Sequence, residues 1–152
     1  MHQTCVLEIV VPLKNEAGQI PDFLSYAQNV ISSFNGEVSF SFINDHSVDQ
    51  TYDLLIEKKN EYFKVLSLDA QHGIMAAFKL GAELSRADFC LLLPVDCCLH
   101  VEDLKTLISY LTSETDIQGG FGGKAYIKGS WVLNFYSLFL LRTKLFVPRW
   151  KF

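Results

Sequence analysis

Two apolar runs of the sequence each end in an aspartate. They are Val38 to Asp45 (VSFSFIND) and Phe89 to Asp96 (FCLLLPVD). Apolar runs of this kind are typical of parallel strands, because helices cover both faces of their sheet. Ligands of open α/β sheets bind beyond the carboxyl ends of the strands. A carboxylate at that position on two strands therefore indicates a site for a base, a sugar hydroxyl or a metal ion.

Strand-like and helix-like segments alternate through the first two thirds of the chain and must position these aspartates. The predicted strands are Cys5–Val11, Val38–Ile43, Phe63–Leu68 and Phe89–Pro94, and the predicted helices are Gln19–Ser33, Asp49–Asn60, Ile74–Leu84 and Val101–Leu111. Alternation at these lengths implies βαβ units. We therefore predict an α/β fold with a mostly parallel sheet flanked by helices.

The composition favours one globular domain. The chain has 152 residues, of which 49% are hydrophobic and 20% are charged, and this balance excludes a disordered chain. Its four cysteines lack the spacing of a zinc site, and a disulfide between the adjacent Cys97 and Cys98 is not expected. We therefore expect reduced thiols, which are typical of cytosolic proteins.

The last third of the sequence has a different character. Gly119, Gly120, Gly122 and Gly123 surround Phe121, and glycines at this density argue against the interior of a strand or helix.

The segment Trp131–Leu141 follows, and its eleven residues are mostly apolar. They are too few to span a bilayer, which needs about 20. A buried helix, a helix in a membrane interface and a helix that packs on other protein all fit.

Charge is unevenly distributed along the chain. The net charge is −4, yet residues 1–116 hold all 17 acids and have a balance of −10. Residues 117–152 have a balance of +6, from Lys124, Lys128, Arg142, Lys144, Arg149 and Lys151. Such a segment is either a surface for an anionic partner or the cationic end of an ordinary domain.

Four segments occur in the order and at the spacing of family 2 glycosyltransferases. They are VVPLKNEAGQIPDFL at 10–24, FINDHSVDQTYDLL at 42–55, HGIMAAFKLGAEL at 72–84 and FCLLLPVDCCLHVEDLKTL at 89–107. The resemblance covers about residues 5–112. It implies a GT-A, Rossmann-like fold and transfer of a sugar from a nucleotide donor.

The first segment resembles the strand-end motif P-x-x-N-E of this family, which lies near the donor. Pro12, Asn15 and Glu16 match it. The loop after a first strand exposes backbone N–H groups at a helix N-terminus, which suits an anionic ligand. The alternative for Asn15 is that it only caps the next helix.

The second segment, Asn44 to Thr51, resembles the family motif D-D-G-S-x-D-x-T. Asp45 matches the aspartate that accepts a hydrogen bond from the nucleotide base. Asn44 replaces the first aspartate, and His46 replaces the glycine, at some cost if its φ is positive. The side chains that follow, Ser47, Asp49 and Thr51, are expected to organise the turn rather than to contact ligand.

The third segment resembles the family stretch G-x-x-x-A-x-N-x-G. Gly73 allows close approach of backbone to ligand, and Gly81 allows close helix packing. The arginine often found here is absent, with Phe78 in its place. The positive charge for a diphosphate would then come from Lys79 or His72.

The fourth segment stands where the family has D-x-D. Pro94 occupies the position of the first acid, and Asp96 matches the second acid, which is expected to bind metal. Mg²⁺ or Mn²⁺ prefers oxygen ligands and is held by one or two carboxylates plus substrate phosphates. The alternative for Asp96 is that it caps the following turn.

An inverting glycosyltransferase needs a general base for the acceptor hydroxyl. In this family the base lies well after D-x-D, but no Asp or Glu follows Asp116. We therefore expect a single domain in which residues 1–116 form the nucleotide-sugar donor half. Residues 117–152 would form an incomplete acceptor half with an aromatic basic helix, in a truncated or degenerate relative.

The resemblance implies a metal-assisted glycosyltransferase of cell-wall or polysaccharide biosynthesis. Its partners would be a nucleotide-diphospho-sugar and a glycan, lipid or protein acceptor, with no nucleic acid. Residues 130–152 would contact a membrane surface or a partner chain, which places the protein in the cytoplasm or at the inner face of a membrane. The alternative is a non-catalytic nucleotide-binding or interaction module.

Overall fold

The computed structural model describes residues 6–34, 37–113, 119–121 and 139–142. Its elements follow one another as β1 (Leu7–Leu13), α1 (Ile20–Ser33), β2 (Val38–Asn44), α2 (Thr51–Ile56), β3 (Phe63–Ser67), α3 (Ile74–Leu84), β4 (Phe89–Leu92), α4 (Val101–Ser113), β5 (Gly119–Phe121) and β6 (Phe139–Arg142).

One six-stranded sheet forms the centre of the fold, with the strand order β3-β2-β1-β4-β6-β5. Strands β1 to β4 are parallel to one another, whereas β6 pairs antiparallel with β4 and with β5. The predicted α/β architecture with a mostly parallel sheet is therefore confirmed.

The side chains of β1 point alternately to the two faces of the sheet, and they show which helices cover each face. Leu7, Ile9, Val11 and Leu13 pack in a large cluster with apolar residues of α1, α2 and α4. Val10 points to the opposite face, where it packs with Ala77 and Phe78 of α3. The two faces are thus covered unequally, with three helices on one and α3 on the other.

Four phenylalanines form the centre of the large cluster. The Phe42 ring lies 5.6 Å from Phe63, 6.0 Å from Phe40 and 6.1 Å from Phe23, between ring centroids. Edge-to-face and offset arrangements at these distances are favourable for aromatic pairs. This aromatic cluster fixes β2 against α1 and β3.

Gly81 brings α3 close to the central strand, as predicted. A Cβ at this position would lie 2.7 Å from Cγ1 of Val10, a buried β-branched side chain. Only glycine fits this approach without movement of its neighbours.

A polar cluster lies between the strands, toward their amino ends. Glu8 of β1 is 1% exposed, and Lys64 donates to both its carboxylate oxygens, at 2.9 and 3.0 Å. The hydroxyls of Ser41 and Ser85 also donate to this carboxylate. We call these four residues the Glu8 cluster. It ties β1, β2, β3 and the end of α3 together.

The predicted first strand was displaced by two residues. Pro12, the first residue after the predicted strand, lies inside β1 opposite Ile43. The backbone carbonyl of Val10 accepts a hydrogen bond from the N–H of Leu93, so the backbone polar groups of Val10 point toward β4. Those of Pro12, two residues further along the strand, point to the same side. The β4 pairing ends at Val10 and Leu92, so Pro12 needs no N–H there.

Two predictions for the last third were wrong. Residues 119–121 form strand β5, although glycines argued against a strand, because pairing with β6 overrides their low propensity. Residues 139–141 lie in strand β6 rather than at the end of a helix, since a short apolar run does not distinguish the two.

The rest of the predicted aromatic helix, residues 131–138, lies outside the described residues. The membrane or partner contact expected of residues 130–152 also lies outside them apart from 139–142, and stays a prediction, as does the cellular location. Within the part of the chain that the structure describes, no helix is long and apolar enough to cross a membrane.

Candidate functional site

The crevice between β1 and β4 is the natural ligand position of this sheet. The chain passes from β1 to β2 and β3 in one direction and then returns to place β4 on the other side of β1. Ligands of open α/β sheets bind outside the carboxyl ends of the strands where the strand order reverses in this way. Pro12, Asn15 and Glu16 at the end of β1 and Asp96 after β4 border this crevice.

The loop that follows β1 is held by side chains of the loop that follows β2. The N–H of Asn15 donates to Ser47 Oγ at 3.0 Å, and that of Glu16 to Thr51 Oγ1 at 2.8 Å. The N–H of Ala17 donates to Asp49 Oδ2 at 3.1 Å. We call these three hydrogen bonds the loop clasp.

The loop clasp occupies part of the backbone after β1. The N–H groups of residues 15–17 have acceptors within the protein, and the anion contact expected of N–H groups at the helix N-terminus stays a prediction. The turn-organising role predicted for Ser47, Asp49 and Thr51 agrees with these contacts. Their partners in the neighbouring loop were not predicted.

Asn15 does not cap α1. The N-cap residue of that helix is Gln19, whereas the Asn15 side-chain oxygen accepts the N–H of Val48 at 2.9 Å. The Glu16 carboxylate accepts a hydrogen bond from the Gln19 amide. Of the three residues predicted at this strand end, Pro12 is buried, Asn15 is exposed and Glu16 is half-buried.

Two residues of these loops have left-handed backbone conformations. The φ angles of Asn15 and His46 are 56° and 57°, in a region where asparagine is tolerated better than most residues. The positive φ that would make the replacement of glycine by His46 costly is therefore present. The reciprocal contacts of the loop clasp hold this turn in place.

Asn44 also takes part in the turn. Its side-chain oxygen accepts the N–H of Ser47 at 3.1 Å, and its Nδ2 donates to Ser67 Oγ at 2.9 Å. An aspartate at this position could not donate to Ser67. Asn44, which replaces the first aspartate of the family motif, thus makes a hydrogen bond that links β2 to β3.

Asp49 gives the loop clasp a dependence on pH. The Thr51 hydroxyl donates to its carboxylate at 2.6 Å, and this bond, with smaller help from the N–H groups of Thr51 and Ala17, holds the pKa of Asp49 below its ordinary value of 3.8. A carboxyl whose pKa is lower in the folded state stabilises the fold above its unfolded pKa, and this contribution is lost as pH falls through the folded pKa.

We therefore expect Asp49→Asn to lower the melting temperature near neutral pH, with a difference from wild type that is constant above about pH 5 and shrinks below about pH 4. Thermal melting followed by circular dichroism across this range measures it. Glu61→Gln, in another exposed loop, serves as the control. A difference that persists unchanged in acid would contradict the role given to Asp49.

Asp45 directly follows β2 and is almost completely buried, at 5% exposure. Its two carboxylate oxygens accept the N–H groups of His72 at 2.7 Å and Gly73 at 2.9 Å. Gly73 has a φ of 85° and open space around the position of a Cβ. The structure therefore brings Asp45 and Gly73 together through a contact that the sequence did not reveal.

The two cations predicted for a diphosphate each lie beside a carboxylate. Lys79 Nζ is 3.9 Å from Glu83 Oε1, one turn further along α3. His72 lies in the loop before α3, where its Nε2 is 2.9 Å from Asp69 Oδ1. The hydrogen bond and the charge of His72 hold the pKa of Asp69 below its usual range. The role of Lys79 or His72 toward a diphosphate stays a prediction.

Asp96 is an exposed residue in the turn after β4. Burial, followed by the charge of Asp96, raises the pKa of the neighbouring thiols of Cys97 and Cys98. A raised pKa favours the protonated thiol over the nucleophilic thiolate at neutral pH.

The donor set around Asp96 decides which metal chemistry fits. Among the described residues, no three His, Cys, Asp or Glu side chains are grouped so that they could hold a metal ion. Mg²⁺ and Mn²⁺ are nevertheless commonly held by one or two carboxylates together with substrate phosphates. Asp96 therefore fits a metal ion that arrives with a diphosphate.

Comparison with known proteins gives a family for this arrangement. The family model described as glycosyl transferase family 2 matches residues 8–146. No curated protein sequence matches the chain.

Solved structures share the fold. The mannosyltransferase PcManGT from Pyrobaculum calidifontis, in complex with GDP-Man and Mn²⁺, superposes with a TM-score of 0.70 at 12% identity, over 95% of this chain and 46% of that protein. S. aureus TarS 1-349, in complex with UDP-GlcNAc, gives 0.60 at 20% identity, over 71% and 31%. This chain thus spans less than half the length of either protein.

Proposed function

Because the chain belongs to glycosyl transferase family 2, we propose that it binds a nucleotide-diphospho-sugar in the crevice between β1 and β4 and transfers the sugar to an acceptor. The observation that carries this proposal is the convergence of three loops at the point where the strand order reverses. These are residues 14–19 after β1, residues 45–50 after β2 and residues 93–100 after β4.

The parts of the donor would contact different elements. The loops that hold Asn15, Glu16 and Gly73 would frame the diphosphate, with Lys79 or His72 as the cation. Asp45 would lie under the nucleotide. Support comes from GDP-Man in PcManGT and UDP-GlcNAc in TarS, two nucleotide-diphospho-sugars bound by proteins of the same fold.

A divalent metal ion, Mg²⁺ or Mn²⁺, would be shared between Asp96 and the diphosphate. Bound there, it would neutralise charge that develops on the departing nucleotide. A single exposed carboxylate binds free metal weakly, so metal and nucleotide should strengthen each other's binding. The Mn²⁺ in PcManGT supports metal use in this fold.

Turnover requires more than a donor site. The acceptor hydroxyl must lose its proton as it attacks the sugar. A second candidate function is a nucleotide-binding module that does not transfer sugar, and Pro94, which stands where the family has the first acid of D-x-D, favours it. Release of free sugar or its transfer from a donor would exclude the second candidate, and tight donor binding without either would favour it.

Calorimetric titration with UDP and GDP, with and without Mn²⁺, tests the proposal. We expect at least one nucleotide to bind, and Mn²⁺ to increase its affinity by about tenfold or more. Asp96→Asn should remove the increase that Mn²⁺ produces and leave metal-free binding unchanged.

The matched control is Glu83→Gln, which changes the charge by the same amount at the far end of α3 and should keep the metal effect. Absence of binding of both nucleotides to the folded protein would refute the donor site. A metal effect that survives in Asp96→Asn would refute the metal role of Asp96 alone.

A further inference from the structure

We propose that Tyr26 of α1 is a positioning residue for Asp96. Its buried hydroxyl accepts a hydrogen bond from the backbone N–H of Leu99 when metal and donor bind, and this bond fixes the turn that carries Asp96. Tyr26 acts through the backbone and does not itself touch the metal or the donor. In the proposed function, on which this inference rests, Asp96 shares a metal ion with the diphosphate.

The Tyr26 hydroxyl is buried without a hydrogen bond. The ring packs on Phe23, with 5.4 Å between the ring centroids, and against the large cluster. Within the described residues, the hydroxyl oxygen is the single buried side-chain polar atom for which no group completes a hydrogen bond. A buried hydroxyl in this condition destabilises a fold, and such groups are few in folded proteins. This one therefore needs an explanation.

The β4–α4 loop (residues 93–100) lies beside this hydroxyl. Tyr26 and Cys97 pack against the same large cluster. Burial is the main cause that raises the pKa of the Tyr26 phenol, and the thiols of Cys98 and Cys97 raise it further. The backbone of Leu99 lowers this pKa, as an N–H does when it points at the phenol oxygen. The Leu99 N–H thus faces the hydroxyl but stops short of a hydrogen bond, so a small shift of the loop completes the bond.

Leu99 is tied to the turn that carries Asp96. The N–H of Cys97 donates to the carbonyl of Pro94 at 3.0 Å and closes this turn. Asp96 is exposed, whereas Val95 and Leu99 on either side of it are buried in the large cluster. The turn is therefore held by two buried side chains. A bond from the Leu99 backbone to α1 adds a fixed point three residues from the Asp96 carboxylate.

A hydrogen bond that forms only with metal and donor bound contributes to binding and not to the stability of the free protein. Tyr26→Phe removes the hydroxyl and keeps the ring. It should therefore weaken metal-dependent binding, while the free protein keeps its stability or gains some, because an unsatisfied polar group is removed. A hydroxyl that only supports the fold gives the opposite pattern.

Calorimetric titration of the full chain with UDP and GDP, with and without Mn²⁺, measures the effect on binding. We expect Tyr26→Phe to lower the gain in affinity that Mn²⁺ produces by about fivefold, and to leave metal-free affinity unchanged. The melting temperature of Tyr26→Phe without ligand should equal that of wild type or exceed it. Added to Asp96→Asn, Tyr26→Phe should cause no further loss, because both substitutions act on the same metal ion.

Amide hydrogen exchange at Leu99, followed by NMR, reports the bond itself. In wild type, addition of Mn²⁺ together with UDP or GDP should slow this exchange by at least about fivefold. In Tyr26→Phe the same addition should leave it unchanged. The exchange in wild type decides the question alone if Tyr26→Phe does not fold.

The matched control is Tyr62→Phe. Tyr62 is also a partly buried tyrosine that packs against the large cluster, and it directly precedes β3, which is separated from β4 by β2 and β1. The substitution removes the same atom at a distance from the β4–α4 loop. It should leave both the Mn²⁺ gain and the exchange response of Leu99 as in wild type.

A full Mn²⁺ gain in Tyr26→Phe would overturn the inference and leave the proposed function intact. Equal losses of metal-free and metal-dependent affinity would also overturn it, as would a Leu99 exchange rate that does not respond to binding in wild type. If wild type binds neither nucleotide, the proposed donor site fails. If it binds one without a gain from Mn²⁺, the metal role of Asp96 fails, and in both cases the role of Tyr26 fails with it.

Discussion

Lys64→Met should lower the free energy of unfolding by about 3 kcal/mol, because it leaves the buried Glu8 carboxylate without a cation. Glu8 is 1% exposed, and both its oxygens accept hydrogen bonds from Lys64. Lys64 itself is 39% exposed, so water already screens part of the interaction and the expected loss lies at the low end of the range for buried pairs. Urea unfolding measures it.

The double variant distinguishes an unpaired charge from lost packing. Glu8→Gln added to Lys64→Met removes the isolated charge but keeps an oxygen that can accept from Ser41 and Ser85. It should recover most of the stability that Lys64→Met loses. If Lys64→Met alone is neutral, or if Glu8→Gln makes the loss larger, the Glu8 cluster does not hold a stabilising ion pair.

Phe42→Ala should have a still larger effect, a loss of about 3–5 kcal/mol, because it opens a cavity at the centre of the aromatic cluster. Phe42 is 1% exposed and contacts the rings of Phe23, Phe40 and Phe63. Two residues after it, β2 ends at Asn44 and its loop begins. The loss should therefore also loosen Asp45 and the loop that follows it.

The control for Phe42→Ala is Phe42→Leu, which retains most of the apolar volume. We expect it to cost less than about 1.5 kcal/mol. Denaturant unfolding of both variants should show equal slopes, because the surface exposed on unfolding changes little. Equal losses for alanine and leucine would mean that the cluster depends on ring-to-ring contacts and not on filled volume.

The sequence predicted the parallel part of the fold because its pattern is local. Helix α3 was predicted at its observed bounds, and strand β2 within one residue, since apolar spacing determines both. Helix α2 was predicted too long at both ends. Asp49 belongs to the loop clasp and Gln50 is the N-cap residue, and the helix ends at Ile56 and not at Asn60. Strand β5 was missed because its partner, β6, lies 18 residues farther along the chain, and such pairing leaves no local signal.

The site was predictable by position but not by contact. Strand ends predicted that Asp45 and Asp96 would lie at one edge of the sheet, and a family pattern predicted Gly73. That the Asp45 carboxylate faces the N–H groups of residues 72 and 73 depends on how two loops fold toward each other, which no spacing encodes. The same holds for Thr51, whose hydroxyl accepts from a residue 35 positions earlier.

The loop clasp has a consequence for protein engineering. Two of its hydrogen bonds are made by the backbone N–H groups of residues 16 and 17, so they do not depend on which side chains stand at these positions. A library that varies these two positions should therefore yield mostly folded proteins, with proline as the one excluded residue because it lacks the N–H. Ligand selectivity could then be varied through the side chains at positions 16 and 17, while Asp49 and Thr51 are kept unchanged.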